Sequence, residues 1–238
     1  MQPGANVLVV PDLHIPFEHR DALPFIQAVD RMWFAGNPNR HVVFLGDEID
    51  SHAISRHMPD PDGRSPKDEF EEAKHRLKDW YRAFSELVRV CDSNHTRRPW
   101  KKAYEAGLPK QFLKDVHEVL EAPVGWQWSE RWIIQDIVFE HGENVSGPQG
   151  ALNAAKQNQR CTAIGHLHSF GGVVHADSFD GKLWGLNAGC LIDVDAYAFG
   201  YAKTLRNKPT LGCGVIKNGS PYFVPMPLND EKRWAGWV

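Results

Sequence analysis

Thiols are scarce in this chain: its 238 residues include only four cysteines, Cys91, Cys161, Cys190 and Cys213. No two form a Cys-x-x-Cys pair, which argues against a structural zinc site. Each lies in or beside an apolar or small-residue stretch, the setting of buried free thiols in a reducing compartment. Long apolar runs are missing too, and none approaches the ~20 residues of a membrane span. The opening Met1-Gln2-Pro3-Gly4 lacks the basic-then-apolar pattern of a secretory leader. The expectation is a cytoplasmic protein with no membrane association. An excess of one charge is also lacking, because 27 Lys and Arg against 30 Asp and Glu leave a net charge of −3. That excludes a general electrostatic pull on nucleic acid, so such a substrate would need a local basic patch. No repeat, low-complexity segment or linker divides the chain. With 42% apolar and 24% charged residues, it reads as one globular domain over residues 1–238.

Val7-Leu8-Val9-Val10, ended by Pro11, predicts a buried strand. Residues 21–35 follow with Leu23, Ile26, Val29, Met32 and Trp33 at helical spacing and Asp21 placed to cap. His41-Val42-Val43-Phe44-Leu45, stopped by Gly46, predicts a second buried strand. Two apolar strands around a helix predict a βαβ unit with parallel strands. Residues 60–64 form a turn-rich segment, and residues 65–84 predict a long amphipathic helix with Phe70, Ala73, Leu77, Trp80, Tyr81 and Phe84 on its core face. A third strand is expected at 87–91 and two weaker helices within 99–121. From Trp132 onward the pattern is mostly β. Strands are expected near 132–134, 137–139, 162–164, 172–176, 182–187, 211–216 and 221–224, with one helix near 148–158. The turn signals Asp180-Gly181 and Asn218-Gly219 favour hairpins. The fold expected is α/β, a two-sheet β-sandwich flanked by helices.

Five clusters stand out, several directly after a predicted strand. They are Asp12-Leu13-His14, Gly46-Asp47-Glu48-Ile49-Asp50, Ser93-Asn94-His95, Glu140-His141-Gly142 and Gly165-His166-Leu167-His168. Asp12 and His14 can grip one ion together, Asp47 can bridge two, Asn94 offers a neutral carbonyl oxygen, and His141, His166 and His168 add imidazoles. Such nitrogen and oxygen ligands suit Mn, Fe, Zn, Co or Ni better than Ca.

In their order and residue types these clusters resemble the calcineurin-like metallophosphoesterase superfamily over residues 6–190. The resemblance implies a two-sheet α/β sandwich with two divalent transition-metal ions, Mn foremost, at the strand ends. It implies Asp12, His14, Asp47 and His168 around one ion, and Asp47, Asn94, His141 and His166 around the other. His95 would contact the scissile phosphate. Asn187-Ala188-Gly189-Cys190 resembles the family's Asn-Pro-Gly-Ser turn. The whole chain also looks like the stand-alone members of tailed phages, which places it in a bacterial or phage-infected cell. Two departures are visible. Ser93-Asn94-His95-Thr96 stands where the family has Gly-Asn-His-Asp/Glu, and Ser51-His52 stands where its protein phosphatases have Arg-Gly. The second removes an arginine that would grip a phosphomonoester.

The chemistry expected is hydrolysis of phosphate esters. Two ions about 3.5–4 Å apart clamp the phosphate, and a bound water acidified toward pKa ~7 supplies hydroxide. His95 would then act as general acid. Asp50 is read either as the carboxylate holding the His95 ring or as a helix cap. Arg97, Arg98 and Lys101, with Lys102, Lys110 and Trp100 nearby, form either a basic rim for a nucleotide or nucleic-acid strand or a solvated helix face. His52 and His57 are placed to line the pocket. Trp234 and Trp237 are read as packing or a subunit contact. The function expected is a phosphodiesterase acting on nucleotides or nucleic acid. The alternatives are a phosphomonoesterase acting on nucleotides, nucleic-acid ends or proteins, and a non-catalytic binding module of the same fold, as in retromer-type relatives.

Overall fold

A computed structural model describes residues 4–55, 63–179, 181–196 and 208–238. The chain is α/β, with two mixed sheets flanked by helices. The first sheet begins with β1 (Asn6–Val10), whose five residues are all buried. Helix α1 (Ala22–Phe34) crosses over to β2 (Arg40–Phe44), which lies parallel to β1. Helix α2 (Pro66–Ala83) leads to β3 (Val88–Cys91), parallel to β2. Next come α3 (Arg98–Glu105), the single-turn α4 (Val116–Val119) and β4 (Trp126–Ser129), which pairs parallel with β3 at the sheet edge. The hairpin β10 (Gly212–Lys217) and β11 (Ser220–Pro225) completes this sheet on the other side of β1.

The second sheet holds β5 (Arg131–Ile134), β6 (Ile137–Glu140), β7 (Thr162–Ile164), β9 (Gly181–Asn187) and β8 (Gly172–Ser178), in that spatial order. Helix α5 (Gly150–Asn158) joins β6 to the parallel β7. Gln135 and Asp136 both take positive φ, 46° and 68°, as the tight β5–β6 turn requires. Val7, Val9, Val43 and Leu45 from the first sheet share one buried cluster with Phe139, Ala163, Trp184 and Leu186 from the second. A larger cluster on the other face of the first sheet packs α1 and α2 against Leu8, Val10, Val42 and Phe44. The alternation of side chains along β1 and β2 therefore feeds two cores, an arrangement compatible with a sandwich.

Helix α2 follows its sequence signals. Ser65 Oγ accepts from the Asp68 N–H at 3.1 Å, Pro66 opens the first turn, and Ala73, Leu77, Trp80 and Tyr81 are buried. Helix α1 departs from the expected pattern. Met32 is 61% exposed, and the face turned inward is Ala22, Phe25, Ile26 and Val29. Asp21 makes no side-chain cap. Its carboxylate is taken by Arg233 and by the Trp234 N–H at 3.0 Å, which clasp the C-terminal segment to the start of α1. Trp234 stacks edge-on against Phe25, while Trp237 is 63% exposed. Cys91, Cys190 and Cys213 are buried free thiols and Cys161 is half-buried. No helix among the described residues is long and apolar enough to cross a membrane. His57 and Asp180 lie outside the described residues.

Candidate metal centre

The five sequence clusters converge at the strand ends. Asp12 follows β1, Asp47 follows β2, Asn94 follows β3, His141 follows β6, and His166 and His168 follow β7. Their ligand atoms fall into groups. One is Asp12, His14, Asp47 and His168, another is Asp47, His141 and His166, and a third is His14, Asp50 and His95. Within each group the ligand atoms lie within 4.8 Å of one another. Asn94 joins the second, with Oδ1 2.8 Å from His141 Nε2. Asp47 belongs to both of the first two groups, the position expected of a bridging carboxylate.

Backbone geometry delivers these side chains. His14, Asp47 and His166 have φ of 54°, 48° and 63°, and such left-handed non-glycine residues cluster at functional loops. Gly46 (φ 99°) lets the loop after β2 pass the loop after β3, since a Cβ there would lie 2.6 Å from Ser93 Cβ. At Gly165 a Cβ would sit 2.1 Å from Asp12 Oδ1, so only glycine leaves room for that carboxylate. Asp12 Oδ2 accepts from the His166 N–H at 2.7 Å and lies 2.9 Å from His168 Nε2. Asn187 braces the same loop: its Oδ1 accepts from the Gly189 N–H at 3.0 Å, and its Nδ2 donates to Leu167 O at 3.2 Å.

The electrostatics fit a bound cation. His14 Nδ1 lies 2.7 Å from Asp50 Oδ1, and His141 Nδ1 donates to Leu45 O at 2.9 Å. Held as neutral rings, each would offer its Nε2 lone pair to an ion. His14 Nε2 faces Asp47 Oδ2 at 3.4 Å and His168 Nε2 at 3.1 Å. His141 Nε2 faces Asp47 Oδ2 at 3.3 Å and His166 Nδ1 at 3.2 Å. Lone pairs so arranged repel unless positive charge lies among them. Asp12 Oδ1, Asp47 Oδ2 and Asp50 Oδ2 are buried and receive no hydrogen bond, a costly state without a cation. Burial opposes charge on His141, yet Asp47 and Asp12 push it up to about 10. Burial also works against the charged forms of Asp12 and Asp47, but the neighbouring imidazoles hold both below the ordinary carboxylate value. Buried His and Asp groups of this kind can hold metal ions.

Asp50 is not a helix cap, because Ser51 occupies that place before the short 3-10 turn His52–Ile54. Its Oδ1 lies 2.7 Å from His14 Nδ1 and 2.6 Å from His95 Nδ1, so one carboxylate orients both rings. Burial opposes the charge on Asp50, and the hydrogen bonds to His14 and His95 hold its pKa down. Burial likewise opposes charge on His95, but Asp47 and Asp50 raise its pKa overall. The His95 N–H also binds Asp47 Oδ1 at 3.1 Å, placing this histidine against the shared carboxylate.

The basic segment divides. Arg98 turns inward: Nη1 donates to Asp50 O at 3.0 Å and Ser51 O at 2.9 Å, and Nη2 lies 3.1 Å from His95 Nε2. Arg97 forms an ion pair with Glu143, and Lys101, Lys102 and Lys110 are exposed. His52 is half-buried, with Nδ1 3.7 Å from Asp50 Oδ2.

Several contributors carry little signal in the sequence. Ser93 Oγ receives the Asp47 N–H at 2.8 Å and donates to Thr96 Oγ1 at 2.9 Å, so Ser93 and Thr96 together hold the loop beside Asp47. Glu48 is wholly buried beside Asp47 and accepts from Trp128 Nε1 at 2.9 Å. Desolvation pushes its pKa up to about 7. Buried Glu48 has one visible signal, its place between two candidate carboxylates; Trp128 lies on β4, a strand that composition conceals. No protein-family model matches the chain, and no curated protein matches it either.

Proposed function

We propose that this chain is a metal-dependent phosphoesterase of the calcineurin-like metallophosphoesterase type, acting on phosphodiesters of nucleotides or nucleic acid. The observation that carries this reading is the pair of ligand groups sharing Asp47, with His95 beside them. Asp12, His14, Asp47 and His168 would hold one divalent ion, and Asp47, Asn94, His141 and His166 a second. Bound there, the ions supply Lewis-acid polarisation of the ester and lower the pKa of water toward neutrality. The chain's own residues do the rest. Asp50 fixes the His14 and His95 rings. His95 projects toward the shared carboxylate, with Nε2 4.0 Å from Asp47 Oδ2, and would give a proton to a leaving oxygen when that nitrogen is protonated. Arg98 sets a guanidinium against the same ring.

Arg98 also supports a second reading, a phosphomonoesterase. Ser51 lacks the cation that a dianionic monoester needs, but the Arg98 guanidinium sits on the Ser51 carbonyl. The deciding experiment loads purified protein with Mn, Fe or Zn and measures ion content alongside turnover of bis-aryl and mono-aryl phosphates. About two ions per chain, chelation-sensitive turnover and a bis-aryl preference are expected. A strong mono-aryl preference selects the phosphatase reading. Ions bound with no turnover of either ester select a binding module, and undiminished turnover after exhaustive chelation overturns the metal-dependent reading altogether.

A further inference from the structure

A cavity of about 420 Å³ lies beside the loops that carry the candidate centre, with Ile15, Ile49, Ser51 and Pro99 in its lining. This is the size of sites that take small organic ligands, roughly 300–1,000 Å³. Its walls are mainly apolar and include Ala53, Ile54, Phe70, Trp100 and Leu113. Two observations tie it to the phosphate site. Ser51 and Pro99 line it, and each is the chain neighbour of a group at the centre, Asp50 and Arg98. Arg98 spans the gap itself, because its guanidinium bonds the Ser51 carbonyl while lying 3.1 Å from His95 Nε2. Ser51 thus lies between the cavity and the Arg98–His95 pair.

The polar groups of the cavity are arranged for an anionic ligand with an apolar body. Glu69 lines it, yet its carboxylate is spent on the His52 and Ala53 N–H groups at 2.6 and 2.8 Å. That pairing fixes the wall carrying Ala53. Trp100 Nε1 donates to Lys114 O at 2.8 Å, which holds the indole in place and leaves it no polar demand on a ligand. Lys67 and Lys114 line it and are both exposed, Lys114 with its ammonium paired to Glu118 at 2.9 Å. What remains is an apolar slot with basic side chains beside it, which suits a flat ring joined to phosphate.

We propose that this cavity is the subsite for the organic group of the ester, an aromatic ring of nucleobase or aryl type, while Arg98 holds the attached phosphate against His95. The proposal rests on the phosphoesterase reading and names the substrate class for that site. It explains why Arg98 faces inward whereas Arg97 pairs with Glu143.

The test compares thymidine 5′-(p-nitrophenyl) phosphate with methyl p-nitrophenyl phosphate on the metal-loaded full chain. Ala53→Trp fills the cavity from a half-buried position. It is expected to raise KM for the thymidine ester at least tenfold and to leave kcat/KM for the methyl ester within twofold. Arg98→Lys is expected to lower kcat/KM for both esters, and added guanidinium is expected to restore part of it to Arg98→Ala. Equal effects of Ala53→Trp on the two esters, or none on either, overturn the proposal. A binding measurement separates this outcome from failure of the phosphoesterase reading. Thymidine 5′-monophosphate is titrated into the metal-free protein and followed by tryptophan fluorescence, with Trp100→Phe as reference. Saturable binding weakened at least tenfold by Ala53→Trp supports the cavity even where no ester is turned over. Absence of binding to the unaltered protein overturns it.

Discussion

Asp21 and Asp47 are both withdrawn carboxylates beside nitrogen groups, yet one is complete and the other is not. Both oxygens of Asp21 are used, Oδ1 by Arg233 and Oδ2 by Arg233 Nε at 2.6 Å and by the Trp234 N–H. Asp47 Oδ1 has the His95 N–H, but Oδ2 receives no hydrogen bond although imidazole nitrogens stand 3.3 and 3.4 Å away. The first is a clasp between two chain segments and needs nothing more. The second leaves one oxygen unmet among imidazole nitrogens, a setting that could hold a cation. Burial alone does not separate them, since both are buried. Satisfaction of each oxygen does.

The largest effect expected is on ion content. Asp47→Ala should reduce the bound ions from about two per chain to fewer than one and abolish turnover, whereas Asp21→Ala should leave the ion content unchanged. Inductively coupled plasma analysis of dialysed protein checks both. Ions retained in full by Asp47→Ala would erase the distinction between the two carboxylates. Next in size is His95→Asn, expected to keep both ions and lose roughly 10²–10⁴-fold in kcat, the range for general acid catalysis. Turnover equal to that of the unaltered protein removes His95 from the proposed chemistry.

A smaller effect is thermal. Ions bound only by the folded chain stabilise it by about 2.7 kcal/mol at a hundredfold excess over Kd. Chelation should therefore lower the Tm of the unaltered protein and of Asp21→Asn, but not that of Asp47→Ala. Calorimetry with and without chelator checks this, and equal shifts in all three would sink the comparison. Smaller again is the rim. Replacing Arg97 and Lys101 by Ala should weaken oligonucleotide binding and make its salt dependence shallower, by up to ~0.9 for each phosphate no longer neutralised. Hydrolysis of a small aryl ester should be spared. An unchanged salt slope in filter binding would assign these residues to a solvated helix face.

The smallest effect concerns the clasp. The Arg233 hydrogen bond outweighs burial and holds the Asp21 pKa below its ordinary value of about 3.9. Its contribution to stability is thus full above that value and is lost as the pH falls through it toward the lowered one. Asp21→Asn should flatten the acid limb of a urea-stability profile and change little near neutrality. A profile of unaltered shape would mean that the clasp adds nothing.

Much of the architecture is legible in the residues themselves. Apolar runs ending at Pro11 and Gly46 mark β1 and β2, and the clusters behind them are the groups that converge. Short strand-like runs and the turn residues between them locate most of the second sheet. Strand β4 escapes a reading by pattern because Trp-Gln-Trp-Ser has only two apolar positions, and its pairing with β3 supplies the remaining order. Spacing alone puts Met32 on the wrong side of α1, because it cannot choose between adjacent stripes; the sheet that the helix packs against does. Composition cannot tell Arg98 from Arg97. Helix α3 starts at Arg98, and that rotation sends one guanidinium inward and its neighbour to Glu143.

The left-handed loops that follow different strands have a consequence for how the chain is assembled. The converging side chains are drawn from positions 12 to 168, and both sheets contribute. No short stretch of chain contains either complete ligand group. Any ion seated there would be held by the whole core simultaneously, so occupancy acts as a coincidence detector. A chain with one sheet unformed, or cut between these loops with a fragment removed, cannot retain it. Ion content would then report on the fraction of molecules whose two sheets have closed on each other, independently of any reaction.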